Sequence, residues 1–153
     1  MTTAGAIDLQ SAPVNENGEY GRLRVRLAET AVDEADVFLF HKTTQRNLYE
    51  NRLADHPDCS EVLLWNSRGE VTEFCTGNLV AELDGECWTP PVECGLLRGT
   101  FRAHLLDSGE IREKVLVRED IVRATQLHLI NSVRKWVEVE LCRQPEITAE
   151  NLS

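Results

Sequence analysis

Apolar and polar residues alternate along Leu23-Arg24-Val25-Arg26-Leu27, the period of a half-buried strand. Val37 to His41 reads as a second, more fully buried strand. From Thr43 onward, Leu48 and Leu53 with Tyr49 and Arg52 suit a short helix, with Thr43 or Thr44 as its N-cap. A dense run of strand patterns follows. Glu61 to Trp65 and Glu70 to Glu73 pair around the turn Asn66-Ser67-Arg68-Gly69, and Asn78 to Leu83 pairs with Glu86 to Thr89 around Asp84-Gly85. Pro90-Pro91 ends that pattern. Gly99 to Asp107 has a helical period with Phe101, Leu105 and Leu106 on one face, and Ser108-Gly109 stops it. Lys114 to Val117 reads as a strand, Arg118 to Ala124 as a helix, Gln126 to Ile130 as a strand, and Val137 to Leu141 alternates again. The pattern as a whole predicts a strand-rich α+β domain over 21–145, with 1–20 a mobile arm or linker and 146–153 a tail.

Composition narrows the partners. The 153 residues hold 16 Lys plus Arg against 26 Asp plus Glu, a net charge of -10, and that field repels polyphosphate. Nucleic acid is therefore not expected as a partner. No apolar run approaches the length of a membrane span, and residues 1–20 lack the design of a secretion signal, so a cytoplasmic protein off the membrane is expected. The five cysteines (Cys59, Cys75, Cys87, Cys94, Cys142) are odd in number and contain no Cys-x-x-Cys pair, so neither a disulfide framework nor a metal site is expected.

Chemistry begins at Lys42, which ends the run Phe38-Leu39-Phe40-His41 and precedes Thr43-Thr44-Gln45-Arg46. An amine held in a pocket loses its proton on desolvation and attacks a carbonyl. Taken alone, a solvated lysine is the plainer reading. Three later segments change the balance by their order: Val71-Thr72-Glu73-Phe74-Cys75-Thr76-Gly77-Asn78, Gly95-Leu96-Leu97-Arg98-Gly99-Thr100-Phe101-Arg102 and Ile130-Asn131-Ser132-Val133-Arg134.

With these segments in register, the stretch from Leu39 to Val139 resembles the large C-terminal domain of the aminotransferase class IV (fold type IV) pyridoxal phosphate enzymes. Within that family it is most similar to the 4-amino-4-deoxychorismate lyases, often fused behind a para-aminobenzoate synthase component. The resemblance implies pyridoxal 5'-phosphate as cofactor. It implies that Lys42 matches the lysine carrying the cofactor covalently, and Glu73 the acid facing the pyridine nitrogen. Gly99, Thr100 and Phe101 match a helix N-terminus that holds the phosphate, and Asn131 and Ser132 a second loop reaching it. Asn78 either orients the strand beneath the ring or stabilises backbone. Arg134 serves a substrate carboxylate or is a surface arginine.

The implied reaction eliminates pyruvate from aminodeoxychorismate to give para-aminobenzoate for folate synthesis. A branched-chain or D-amino-acid type transaminase of the same fold is the alternative, and a non-catalytic truncated relative acting in binding or assembly is a third. The chain departs from the family pattern at Phe74, where a small residue is usual, and at Arg98, in place of a proline. Phe74 is expected to crowd the cofactor's edge or alter its tilt. The family's small N-terminal domain is expected to be missing, and a homodimer, or a chain supplying that domain, is the partner implied.

Overall fold

The computed structural model describes residues 22–41 and 47–142. Strand β1 (Leu23–Leu27) leads through a 3-10 turn (Val37–Leu39) to helix α1 (Asn47–Ala54). Then come β2 (Glu61–Trp65), β3 (Val71–Phe74), β4 (Asn78–Leu83) and β5 (Glu86–Thr89). A second 3-10 turn (Val92–Cys94) precedes α2 (Thr100–Asp107), the two-residue β6 (Arg112–Glu113), α3 (Arg118–Arg123), β7 (Gln126–Asn131) and β8 (Lys135–Leu141). The expected α+β class with few helices is the one observed.

The sheet runs β3-β2-β1-β8-β7-β4-β5-β6, and β3 pairs again with β4. Six strands therefore close into a barrel, with β5 and β6 extending from β4. Strand β1 is parallel to both its neighbours, β2 and β8. Each strand of the ring contributes to one cluster: Val25 and Leu27, Leu63, Val71 and Phe74, Leu79 and Ala81, Leu127 and Leu129, Val137 and Val139. That shared cluster is the barrel interior. Leu116 and Ile121, from the segment around α3, join it.

Period-two alternation sends the intervening residues outward. Val62 and Leu64 leave β2 to meet Leu39 and Tyr49, and Val80 and Ile130 leave β4 and β7 to meet Leu105 and Ile111 beneath α2. The Asp84-Gly85 hairpin forms as expected, with φ of 53° and 79°, the left-handed pair that such a two-residue turn requires.

Two expected strands are corrected. Val37 to His41 is a 3-10 turn followed by a bend. In a strand Val37 and Leu39 would share a face, but Val37 is 63% exposed and Leu39 1%. Lys114 to Val117 is an extended connector; Val71 N donates to Leu116 O, and a lone bridge joins Val117 to Glu70. The strand before it is only Arg112–Glu113, paired with β5. The expected N-cap at Thr43 or Thr44, the arm 1–20 and the tail 146–153 lie outside the described residues.

Strand β3 carries the irregularity that matters most. Leu63 lies opposite Phe74 and Trp65 opposite Val71, so Leu64 alone faces both Thr72 and Glu73. This is a β-bulge, an extra residue that re-aims side chains. It lets Val71 and Phe74 both enter the barrel while Glu73 points outward to Tyr49. Phe74, expected against the cofactor, is instead 1% exposed inside the barrel. Phe74→Ala should therefore cost about 3–5 kcal/mol of folding stability. A denaturant titration that finds little change would mean the ring does not fill the interior.

Candidate functional site

The outward-facing Glu73 is 4% exposed, and its carboxylate is held from several directions. Tyr49, on α1, donates its hydroxyl to Oε1 at 3.0 Å. Asn78 Nδ2 at 3.4 Å and the Leu97 amide at 3.2 Å donate to Oε2. Glu73 and Asn78 face each other across the β3–β4 hairpin. Asn78 Nδ2 also reaches Leu97 O at 2.8 Å, so it ties the acid to the chain that leads into α2. Asn78 thus contacts the acid and also stabilises backbone at Leu97, so both readings of it stay open.

Gly99 is the N-cap of α2, extended at φ -63° and ψ 144°, and no side chain caps it. The first helical bond runs from Ala103 N to Gly99 O. The amides of Thr100, Phe101 and Arg102 thus precede the helical ladder and point out of its end, an arrangement that attracts anions. A Cβ at Gly99 would sit 2.3 Å from Asn78 Oδ1, so only glycine lets the helix start this close to the acid's partner. Gly99→Ala should push Asn78 off Leu97, costing about 1–3 kcal/mol from overpacking. An unchanged melting temperature would show that Asn78 simply swings aside.

The third segment lies alongside. Asn131 Nδ2 donates to Thr76 O at 3.1 Å, joining the β7–β8 turn to the β3–β4 turn. Asn131 Oδ1 accepts from the amides of Val133 and Arg134 at 3.1 and 2.7 Å, which shapes the turn around the exposed Ser132. The ring of Phe101 packs edge-on to Trp136 at 6.4 Å, with Lys135 Nζ 5.0 Å from its centroid. The start of α2 and the start of β8 therefore meet. Glu73, Asn78, Gly99, Thr100, Phe101, Asn131 and Ser132 all gather at one end of the barrel. Lys42 lies outside the described residues. Arg98 is exposed on the approach to α2.

Three groups at this end carry no signal in the sequence. Tyr49 reads there only as a helix residue. The Leu97 amide is backbone. Glu61, 2% exposed, accepts the Thr76 hydroxyl on Oε1, while Oε2 is buried without a hydrogen-bond partner. Burial pushes the Glu61 carboxyl up, outweighing the Thr76 hydroxyl, the Cys75 and Val62 amides and the charge of Arg134, which pull it down.

A raised carboxyl favours the protonated form in the folded state. Its stabilising contribution is complete below the ordinary carboxylate range and is lost as pH rises through the raised value. Glu61→Gln should match wild type near pH ~4 and be the more stable protein near pH ~8. Parallel melting curves across that range would sink the assignment.

Residues 3–142 match the amino-transferase class IV family. The protein named "Putative aminodeoxychorismate lyase" from Schizosaccharomyces pombe is 29% identical over 159 residues, covering 99% of this chain and 69% of that protein. The solved structure of a "Putative amino-acid aminotransferase" from Mesorhizobium loti superimposes with a TM-score of 0.75 at 36% identity, covering 80% of this chain and 61% of that one. The structure of a "Putative 4-amino-4-deoxychorismate lyase" from Legionella pneumophila gives a TM-score of 0.76 at 22% identity, a likeness of fold, over 86% of this chain and 50% of that one. The chain spans less than two-thirds of both solved structures.

Proposed function

The chain belongs to the amino-transferase class IV family, whose cofactor is pyridoxal 5'-phosphate, and from that premise we propose that it carries the catalytic half of a 4-amino-4-deoxychorismate lyase. The donor set fits the cofactor. It combines a buried, multiply anchored carboxylate with the uncapped amides at the start of α2. The observation that carries the reading is the continuous link from Glu73 through Asn78 and Leu97 to Gly99, which fixes the two in one frame.

When bound, the cofactor supplies an aldehyde that captures an amine and a ring that withdraws electrons from the carbon bearing it. Each chain residue then has a task. Lys42 would hold the cofactor covalently, and its freed amine would take the proton from the substrate ring carbon that bears nitrogen. Glu73 would hold a proton at the pyridine nitrogen. Thr100 and Phe101 amides, with Asn131 and the Ser132 hydroxyl, would bind the phosphate. Asn78 would orient Glu73, and Arg134 would serve a substrate carboxylate. Loss of the enolpyruvyl group as pyruvate leaves an aromatic ring, para-aminobenzoate, which feeds folate synthesis. Aromatisation makes the elimination downhill, so the residues' work is placement of a proton.

The second reading, an amino-acid transaminase, is favoured by the 36% identity to the Mesorhizobium loti protein. Incubation with pyridoxal 5'-phosphate and 4-amino-4-deoxychorismate separates the two. Stoichiometric pyruvate and para-aminobenzoate support the lyase. Amino transfer to a 2-oxo acid, without pyruvate release, supports the transaminase. Cofactor binding with neither product leaves a binding or assembly domain. A cytoplasmic location and a homodimer are part of the proposal. The family's members are typically dimeric, and light scattering across a tenfold dilution tests pairing in this chain.

A further inference from the structure

Tyr49 stands seven positions beyond Lys42 in the sequence and lies on α1, yet its hydroxyl bonds to Glu73 on β3 at 3.0 Å. Its ring is 9% exposed and packs among Leu39, Val62, Leu64 and Cys75 on the outer face of the barrel. Phenylalanine would fill that space equally well, so packing alone gives no reason for a hydroxyl. The hydroxyl sits on a carboxylate, and hydrogen bonds to charged acceptors are the strong ones.

The position of the bond gives it a task. Asn78 and Leu97 hold Oε2 from the α2 side, and Tyr49 holds Oε1 from the α1 side. The terminal torsion of a glutamate is broad, so contacts at both oxygens define the carboxylate plane better than contacts at one. The bulge at Thr72 and Glu73 turns the acid toward α1, which makes the bond possible.

We propose that Tyr49 is a positioning residue: its hydroxyl fixes the plane of the Glu73 carboxylate and couples the helix following Lys42 to the strand that bears the acid. This inference rests on reading Glu73 as the group facing the cofactor's ring nitrogen.

The test uses pyridoxine 5'-phosphate, which has the ring nitrogen and the phosphate but no aldehyde, and so binds without bonding to Lys42. Quenching of tryptophan fluorescence reports its affinity for the full chain. Tyr49→Phe should weaken binding about tenfold, the scale of one hydrogen bond to a charged group. With Glu73→Gln already present, the same change should alter affinity by less than about twofold, because the pair acts as a unit. Replacing Tyr49 with 3-fluorotyrosine, which keeps the hydroxyl, should retain wild-type affinity within about twofold and guards against a general packing effect. Equal losses in both backgrounds, or no loss for Tyr49→Phe, overturn the inference and leave the cofactor reading intact. Failure of the wild-type chain to bind the probe overturns the cofactor reading, and the inference falls with it.

Discussion

Lys42→Ala should abolish the covalent attachment of pyridoxal 5'-phosphate and lower pyruvate release by about 10²- to 10⁴-fold, the range for loss of a proton-transferring side chain. On the proposed reading the change removes both the nucleophile and the base. Lys42→Arg should fail as well, because a guanidinium keeps its proton and cannot attack the aldehyde. The chain makes the chemical test unusually clean, since its lysines are only Lys42, Lys114 and Lys135. Borohydride reduction followed by peptide mapping should put the label on Lys42. Lys135 is the informative competitor, because its Nζ lies 5.0 Å from the Phe101 ring at the start of α2. Lys114 lies over Trp88 instead. A label found mainly on Lys135 would overturn the assignment of Lys42 while still marking this end of the barrel as the site.

Glu73→Gln should leave the chain folded and reduce elimination about a hundredfold or more, as expected when a charge that holds a proton at the ring nitrogen is lost. The fold tolerates the amide for a geometric reason. Its oxygen can accept from Asn78 and Leu97 on the Oε2 side, and its NH2 can donate to the Tyr49 oxygen, whose hydroxyl rotates to accept. The expected stability loss is therefore about 1 kcal/mol, the scale of one rearranged hydrogen bond. The two readouts must be taken together. Loss of turnover with a near-native melting temperature supports the proton-holding role. Comparable loss of both would make Glu73 a structural acid of the barrel.

Much of this could be read from the chain, and the parts that could not have definite causes. The strands from Glu61 to Thr89 are marked by alternation and by turn residues such as Asp84-Gly85, signals that act over a few positions. The segments around Glu73, Gly99 and Asn131 stand out in the sequence through their order and the family it resembles, and the fold brings them to one end of the barrel. The run Val37 to His41 is ambiguous in sequence because four apolar residues fit a buried strand and a tight turn equally, and only the opposite exposure of Val37 and Leu39 separates them. Phe74 departs from the family pattern beside Glu73, yet a strand sends neighbours to opposite sides, and its ring lies in the barrel interior. The bulge in β3 has no marker residue; it arises from pairing with β2. Tyr49 and Glu61 carry no local mark for the same reason, since their partners are 24 and 15 positions away.

The place of β1 between β2 and β8 governs when this domain can exist during synthesis. Leu23 lies opposite Val139, and the bond from Cys142 N to Val25 O fastens the far end of the chain to the near one. The Arg22–Glu138 pair, at 2.5 Å, spans 116 positions. Such pairings are formed late, because the entropy of closing so long a loop must be met before the contacts return anything. Until β8 has left the ribosome, β1 is an open edge on one side and the apolar residues of the interior have no wall. The hairpins from β2 to β5 can form early, carrying Glu73 and Asn78 with them. The turn at Asn131 is held against them only once the last strand has closed the ring.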